Sequence, residues 1–122
     1  MTASPAPNRW WWAAVLACAA GTLYLSVIPI HDGPDVPYLD KAFHLCNYLL
    51  FAWLLVQAIH AGRLQQREYL LLAWVYAFSY GLLIEVIQGM LPWRSADWAD
   101  ALANAAGAAA GVWLGRRLPR PS

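Results

Sequence analysis

The sequence predicts an all-α integral membrane bundle of four transmembrane helices with both termini cytoplasmic, and three observations carry that prediction. Four apolar segments, at residues 10–30, 43–61, 69–91 and 101–114, follow one another with short polar connections. The chain is 61% hydrophobic and 12% charged, about half the charge usual in a soluble domain. The charges also sort by sign. Arg9 precedes the first segment, Arg63 and Arg67 separate the second from the third, and Arg116, Arg117 and Arg120 follow the fourth. Asp32, Asp35 and Asp40 lie between the first and second, Asp97 and Asp100 open the fourth, and Glu85 sits late in the third. Lys/Arg-rich loops are retained in the cytoplasm, so this alternation directs nearly every acidic side chain toward the outer surface. Residues 1–122 read as one membrane domain, with helices at about 10–30, 40–61, 68–91 and 97–117. A net charge of +1 gives no footing for nucleic acid.

Residues 10–30 are uncharged and satisfy the about 20 apolar residues that a crossing helix needs. Trp10, Trp11 and Trp12 directly follow Arg9, which suits an aromatic anchor at the inner headgroup level. The run is longer than a signal-peptide core and no polar mature domain follows it, so the segment is expected to be retained. Cys18 and Cys46 lie inside spans without metal-type spacing and read as small apolar residues. Residues 31–38 hold Gly33, Pro34 and Pro37 and form an external loop. The second helix starts near Asp40 and ends at Ala61-Gly62, and a short cytoplasmic turn leads to the third, which stops at Leu91-Pro92.

The fourth segment is unusual. Residues 101–114 fall short of the about 17–25 needed to span, and Ala and Gly dominate them. Gly107, Gly111 and Gly115 repeat every four residues, a small-xxx-small ridge that lets another backbone approach closely. The ridge serves either packing within the bundle or a homodimer. Either way, this weakly apolar helix is expected in the centre of the bundle, away from lipid.

Polar residues need an explanation at such depths. Asp40, His44 and Tyr48 share one face of the second helix, with Lys41 beside them. Gly81, Glu85 and Gln88 share a face of the third, and Asp97, Asp100, Asn104, Gly107 and Gly111 a face of the fourth. Glu85 stands seven residues before Pro92, about 10 Å below the outer helix end. Three polar stripes therefore begin at one side of the membrane and fade inward, and the simplest geometry joins them in a pocket open to the outside. Plainer readings stand beside this one. Asp97 and Asp100, with Ser95 as a cap, complement a helix dipole. Lys41 snorkels to the interface. Glu85 pairs with Arg94 or Lys41 to lock the bundle. An acid at that depth is nonetheless a functional candidate by default.

The pattern Asp40-Lys41-x-x-His44, then Glu85-x-x-Gln88, then Pro92-x-Arg94-Ser95-x-Asp97-x-x-Asp100-x-x-x-Asn104-x-x-Gly107 resembles the VanZ-like family. Those are small multi-helix membrane proteins named from glycopeptide-antibiotic resistance loci and linked to teicoplanin tolerance. The resemblance runs from about residue 39 to residue 111, with five motifs in register; one departure is Leu45, where an aromatic residue is frequent. It implies a multi-pass protein of the bacterial cytoplasmic membrane, but no particular reaction.

Three functions fit. The first is an accessory envelope protein that binds a lipid-linked or glycopeptide-type amphiphile at the outer leaflet, among membrane lipids, and contributes to antibiotic tolerance. The second is an intramembrane enzyme acting on a lipid or cell-wall intermediate. Glu85, His44 and Asp100 would be its acid–base groups, with Lys41, Arg94, Gln88, Asn104, Asp40 and Asp97 binding the substrate. The third is a structural or assembly partner of envelope machinery. His44 with Asp40, Glu85, Asp97 and Asp100 makes an oxygen-rich ligand set tolerated by zinc or manganese. No helix presents an H-E-x-x-H pair, however, and neither metal nor cofactor is expected.

Overall fold

The computed structural model describes residues 8–28, 39–60, 65–92 and 98–117. These form four α-helices, α1 (Asn8–Val27), α2 (Leu39–His60), α3 (Gln66–Gly89) and α4 (Trp98–Arg117), and the described residues contain no strand. The ends follow local chemistry. Ile28 precedes Pro29, a position driven out of the helical region, and α1 stops at Val27. Leu91 precedes Pro92, and α3 closes slightly earlier with the Met90 and Leu91 amides donating to the Ile87 and Gln88 carbonyls. These i→i−3 bonds tighten its last turn. In α4, Asp100 lies in the first turn and Arg116 and Arg117 in the last, each matching the adjacent pole of the helix dipole.

Helix direction can be read from the contacts. Trp11 meets Trp53 edge-on, and Asn47 donates to the Thr22 hydroxyl, so α1 and α2 are antiparallel. Phe51 packs on Tyr80, and Tyr48 lies against Gly81, so α2 and α3 are antiparallel too. Leu45, Leu49 and Val56 face Gly107, Gly111 and Gly115 in rising order, which makes α2 and α4 parallel. This is an up-down-up-down bundle. Exposed Arg9, Arg67, Arg116 and Arg117 consequently gather at one end, with Arg9 over Trp10 and Arg117 over Trp113. His44, Glu85 and Asp100 belong to the other.

The central helix is α2. Leu54, Leu55, Val56, Gln57 and Ala58 are buried in succession, as happens only where neighbours surround a helix on every side. It touches all three other helices, most extensively α4, whereas α1 and α4 make no contact among the described residues. The outward surfaces of α1 and α3 expose large apolar side chains such as Leu16, Tyr24, Leu71, Leu83 and Val86, the surface expected against lipid.

Two expectations about α4 are corrected. Residues 9–27, 42–59 and 66–89 are long and apolar enough to cross a membrane, and α4 is not. Its 20 residues give adequate length, about 30 Å, but alanine, glycine, Asp100 and Asn104 keep it too weakly apolar. Nor is it central. Its glycine face is buried against α2, while Leu102, Ala106, Ala109 and Trp113 point outward. Glycine gives α4 one intimate contact, and that contact is with α2. A Cβ at Gly107 would collide with the Leu45 carbonyl oxygen and one at Gly111 with that of Leu49, and one at Gly115 would lie 2.7 Å from Val56 Cγ1. Within the chain, the ridge is therefore occupied.

Candidate functional site

The parallel register of α2 and α4 brings His44 onto Asn104 and Asp100. His44 Nδ1 lies 3.1 Å from Asn104 Oδ1, and Nε2 lies 3.7 Å from Asp100 Oδ2. A carbonyl oxygen can only accept, so the first contact places a proton on Nδ1. Nε2 then carries a second proton, and the Asp100 contact becomes an ion pair, only in the imidazolium form. Asp100 and Asn104 are one helical turn apart, which is why both reach one imidazole.

The stripe of α3 completes a wall. Gly81, Glu85 and Gln88 are all buried on it, as their spacing predicts. A Cβ at Gly81 would sit 3.3 Å from both Asn104 Nδ2 and Tyr48 Cε1, so this glycine is where α2, α3 and α4 close on one another. Glu85, only 7% exposed, is one turn nearer that end of the bundle and within electrostatic reach of Tyr48. The Tyr48 hydroxyl and Asn104 Nδ2 are buried, and neither has a hydrogen-bond partner among the described residues.

Of the residues expected at the site, His44, Asn104 and Asp100 are in contact, and Glu85 is buried on the adjoining face of α3. Gln88 is buried as well, and its Nε2 donates to the Ser26 carbonyl 3.2 Å away, near the end of α1. The side chains of Asp40 and Lys41 lie outside the described residues, as do Arg94, Ser95 and Asp97. The expected Glu85 pairings with Lys41 or Arg94 and the Ser95 cap therefore fall outside them too. Among the described residues, no three His, Cys, Asp or Glu side chains gather as a metal site would need.

Sequence reasoning overlooked a polar seam along α1. Thr22 and Ser26 are buried there: Ser26 Oγ donates to the Thr22 carbonyl, Asn47 to the Thr22 hydroxyl at 2.8 Å, and the Tyr80 hydroxyl to the Ala19 carbonyl. The available signal was the i, i+4 spacing of Thr22 and Ser26 in an otherwise apolar helix. On the far side, Trp74 Nε1 donates to the Ala105 carbonyl at 3.4 Å, tying α3 to α4. Bonds of this kind hold helices together where apolar contact alone gives no preference over lipid.

The resemblance first carried by the residues of α2, α3 and α4 extends over almost the whole chain. The model of the VanZ/LLP1 family matches residues 6–118. No curated protein and no solved structure matches the chain. With a family match of that extent and three helices fit to cross a bilayer, the chain belongs to the VanZ/LLP1 family.

Proposed function

We propose that this VanZ/LLP1 protein sits in the bacterial cytoplasmic membrane with both termini inside, and that its polar cluster opens to the outer leaflet. There it binds the head of a lipid-linked or glycopeptide-type amphiphile and contributes to antibiotic tolerance. The observation that carries the reading is the His44–Asn104–Asp100 contact beside buried Glu85, at the bundle end opposite Arg9, Arg67, Arg116 and Arg117. Polar groups at that depth are costly, and a bundle that needed only packing would do without them.

One observation favours a second reading, an intramembrane enzyme. An imidazole with a carboxylate at Nε2 and a fixed acceptor at Nδ1 is a positioned acid–base group, and Glu85 is a second carboxyl on the adjoining helix.

Glycopeptide tolerance of bacteria producing the wild type, Glu85→Gln or His44→Ala tests the first reading, with membrane levels followed by immunoblot. Tolerance should rise with the wild type and vanish in both variants at unchanged protein levels. Equal tolerance in all three strains would sink the proposal. Depletion of Glu85→Gln from the membrane would instead assign Glu85 to a structural pair. Mass spectrometry of outer-leaflet lipids before and after exposure to the protein separates binder from enzyme, because only an enzyme changes head-group mass.

A further inference from the structure

Beneath the imidazole, the cluster ends on two donors that have no acceptor among the described residues. The Tyr48 hydroxyl and Asn104 Nδ2 are unpartnered among the described residues, and each residue is only 1% exposed. Both side chains abut Gly81 from different helices, so they flank the same point of α3. Asn104 is held by its other atom, since Oδ1 faces His44 Nδ1, and that leaves the amide hydrogens directed away from the imidazole. An unsatisfied buried donor costs stability, and two at one helix junction are a poor choice for a bundle that only packs. An incoming acceptor removes that cost.

The groups around them restrict what the acceptor can be. A phosphate or carboxylate would meet the carboxyl groups of Glu85, one helical turn from Gly81 on α3, and Asp100, one turn from Asn104 on α4. A quaternary ammonium has no lone pair for Tyr48 or Asn104. A hydroxyl accepts and donates at once, taking hydrogens from Tyr48 and Asn104 while giving its own to a carboxylate. Neighbouring hydroxyls on one ring do this repeatedly. His44, with 16% of its side chain exposed, is the open flank by which such a group enters.

Resting on the proposal that the cluster receives an amphiphile's head, we infer that the head is a neutral polyhydroxyl group, a sugar or polyol, and that Tyr48 and Asn104 are the donors that read it. Tyr48 is thus a specificity-determining residue that hydrogen-bonds the ligand's hydroxyl oxygen.

The test uses the full chain in nanodiscs of neutral lipid. Three probes share a dodecyl tail: dodecyl glucoside, dodecyl phosphate and dodecyltrimethylammonium. Native mass spectrometry gives the affinities, and thermal unfolding without probe is measured alongside. The glucoside should bind tightest. Tyr48→Phe should weaken glucoside binding about five- to tenfold, the loss of one hydrogen bond, and leave the other two probes unchanged. The same variant should unfold at an equal or higher temperature without probe, because it discards an unsatisfied hydroxyl, whereas a structural hydroxyl would make it fall. Glucoside binding unchanged in Tyr48→Phe overturns the inference and leaves the hydroxyl to a resident water. Phosphate or ammonium binding best, and lost in His44→Ala, overturns the polyhydroxyl inference while the outer amphiphile site stands. Failure of all three probes overturns both.

Discussion

At the scale of single residues, Gln88 shows how one polar group admits two uses. Its spacing from Glu85 placed it on the site face of α3, and it is buried there as expected. Its amide nitrogen, however, lies on the Ser26 carbonyl. That carbonyl belongs to the last turn of α1, where backbone acceptors have no partner within the helix, so Gln88 acts as a cap delivered from another helix. Gln88→Leu should lower stability by about 1 kcal/mol, the usual worth of an interhelical hydrogen bond in a membrane protein. Thermal unfolding in detergent would show it, and an unchanged melting temperature would mean that the bond does nothing for the fold. His44, Asn104 and Asp100 were legible because their spacing put them on single faces at one end. Thr22, Asn47 and Tyr80 were not, because a lone hydroxyl or amide in an apolar run gives no sign of the backbone or side chain it will meet.

At the scale of elements, the α2–α4 contact depends on three glycines with unequal neighbours. Gly107 and Gly111 face carbonyl oxygens of α2, which cannot move without distorting that helix, while Gly115 faces the side chain of Val56. Gly107→Ala and Gly111→Ala should therefore each cost about 1–3 kcal/mol by overpacking, and Gly115→Ala less, because a side chain yields more readily than backbone. Ala109→Leu, on the exposed face, serves as the control and should be neutral. Val112 is a worse control, since it packs against the core. Equal unfolding temperatures for Gly107→Ala and Ala109→Leu would contradict the close approach. The glycine repeat announced such an approach from the sequence alone, yet it did not say which helix would fill it.

For the molecule as a whole, antiparallel succession turns a pattern along the chain into a polarity in space. Exposed arginines flank one end, and buried Glu85 and Asp100 with partly buried His44 serve the other. The positive-inside rule then predicts that the arginine end is cytoplasmic. In a variant with Cys18 and Cys46 replaced by serine, a cysteine at position 65 should resist an impermeant thiol reagent in intact cells and react after permeabilisation, and a cysteine at position 35 should react in both. Labelling of position 65 from outside would invert the protein and move the polar cluster to the cytoplasmic leaflet.

What the sequence by itself determined is whatever depends on composition and local spacing: four helices, their approximate ends at prolines, three of the four membrane spans it led us to expect, and single-faced polar stripes. Each follows from backbone chemistry or from transfer into lipid, which act on a segment without reference to its neighbours. Only the tertiary structure decided that α2 is the hub, that α4 packs on it and leaves its other face open, and that Tyr48 meets Asn104 across Gly81. Helices in lipid have no hydrophobic force to choose their partners, so steric fit and hydrogen bonding make that choice, and both depend on residues far apart in the chain.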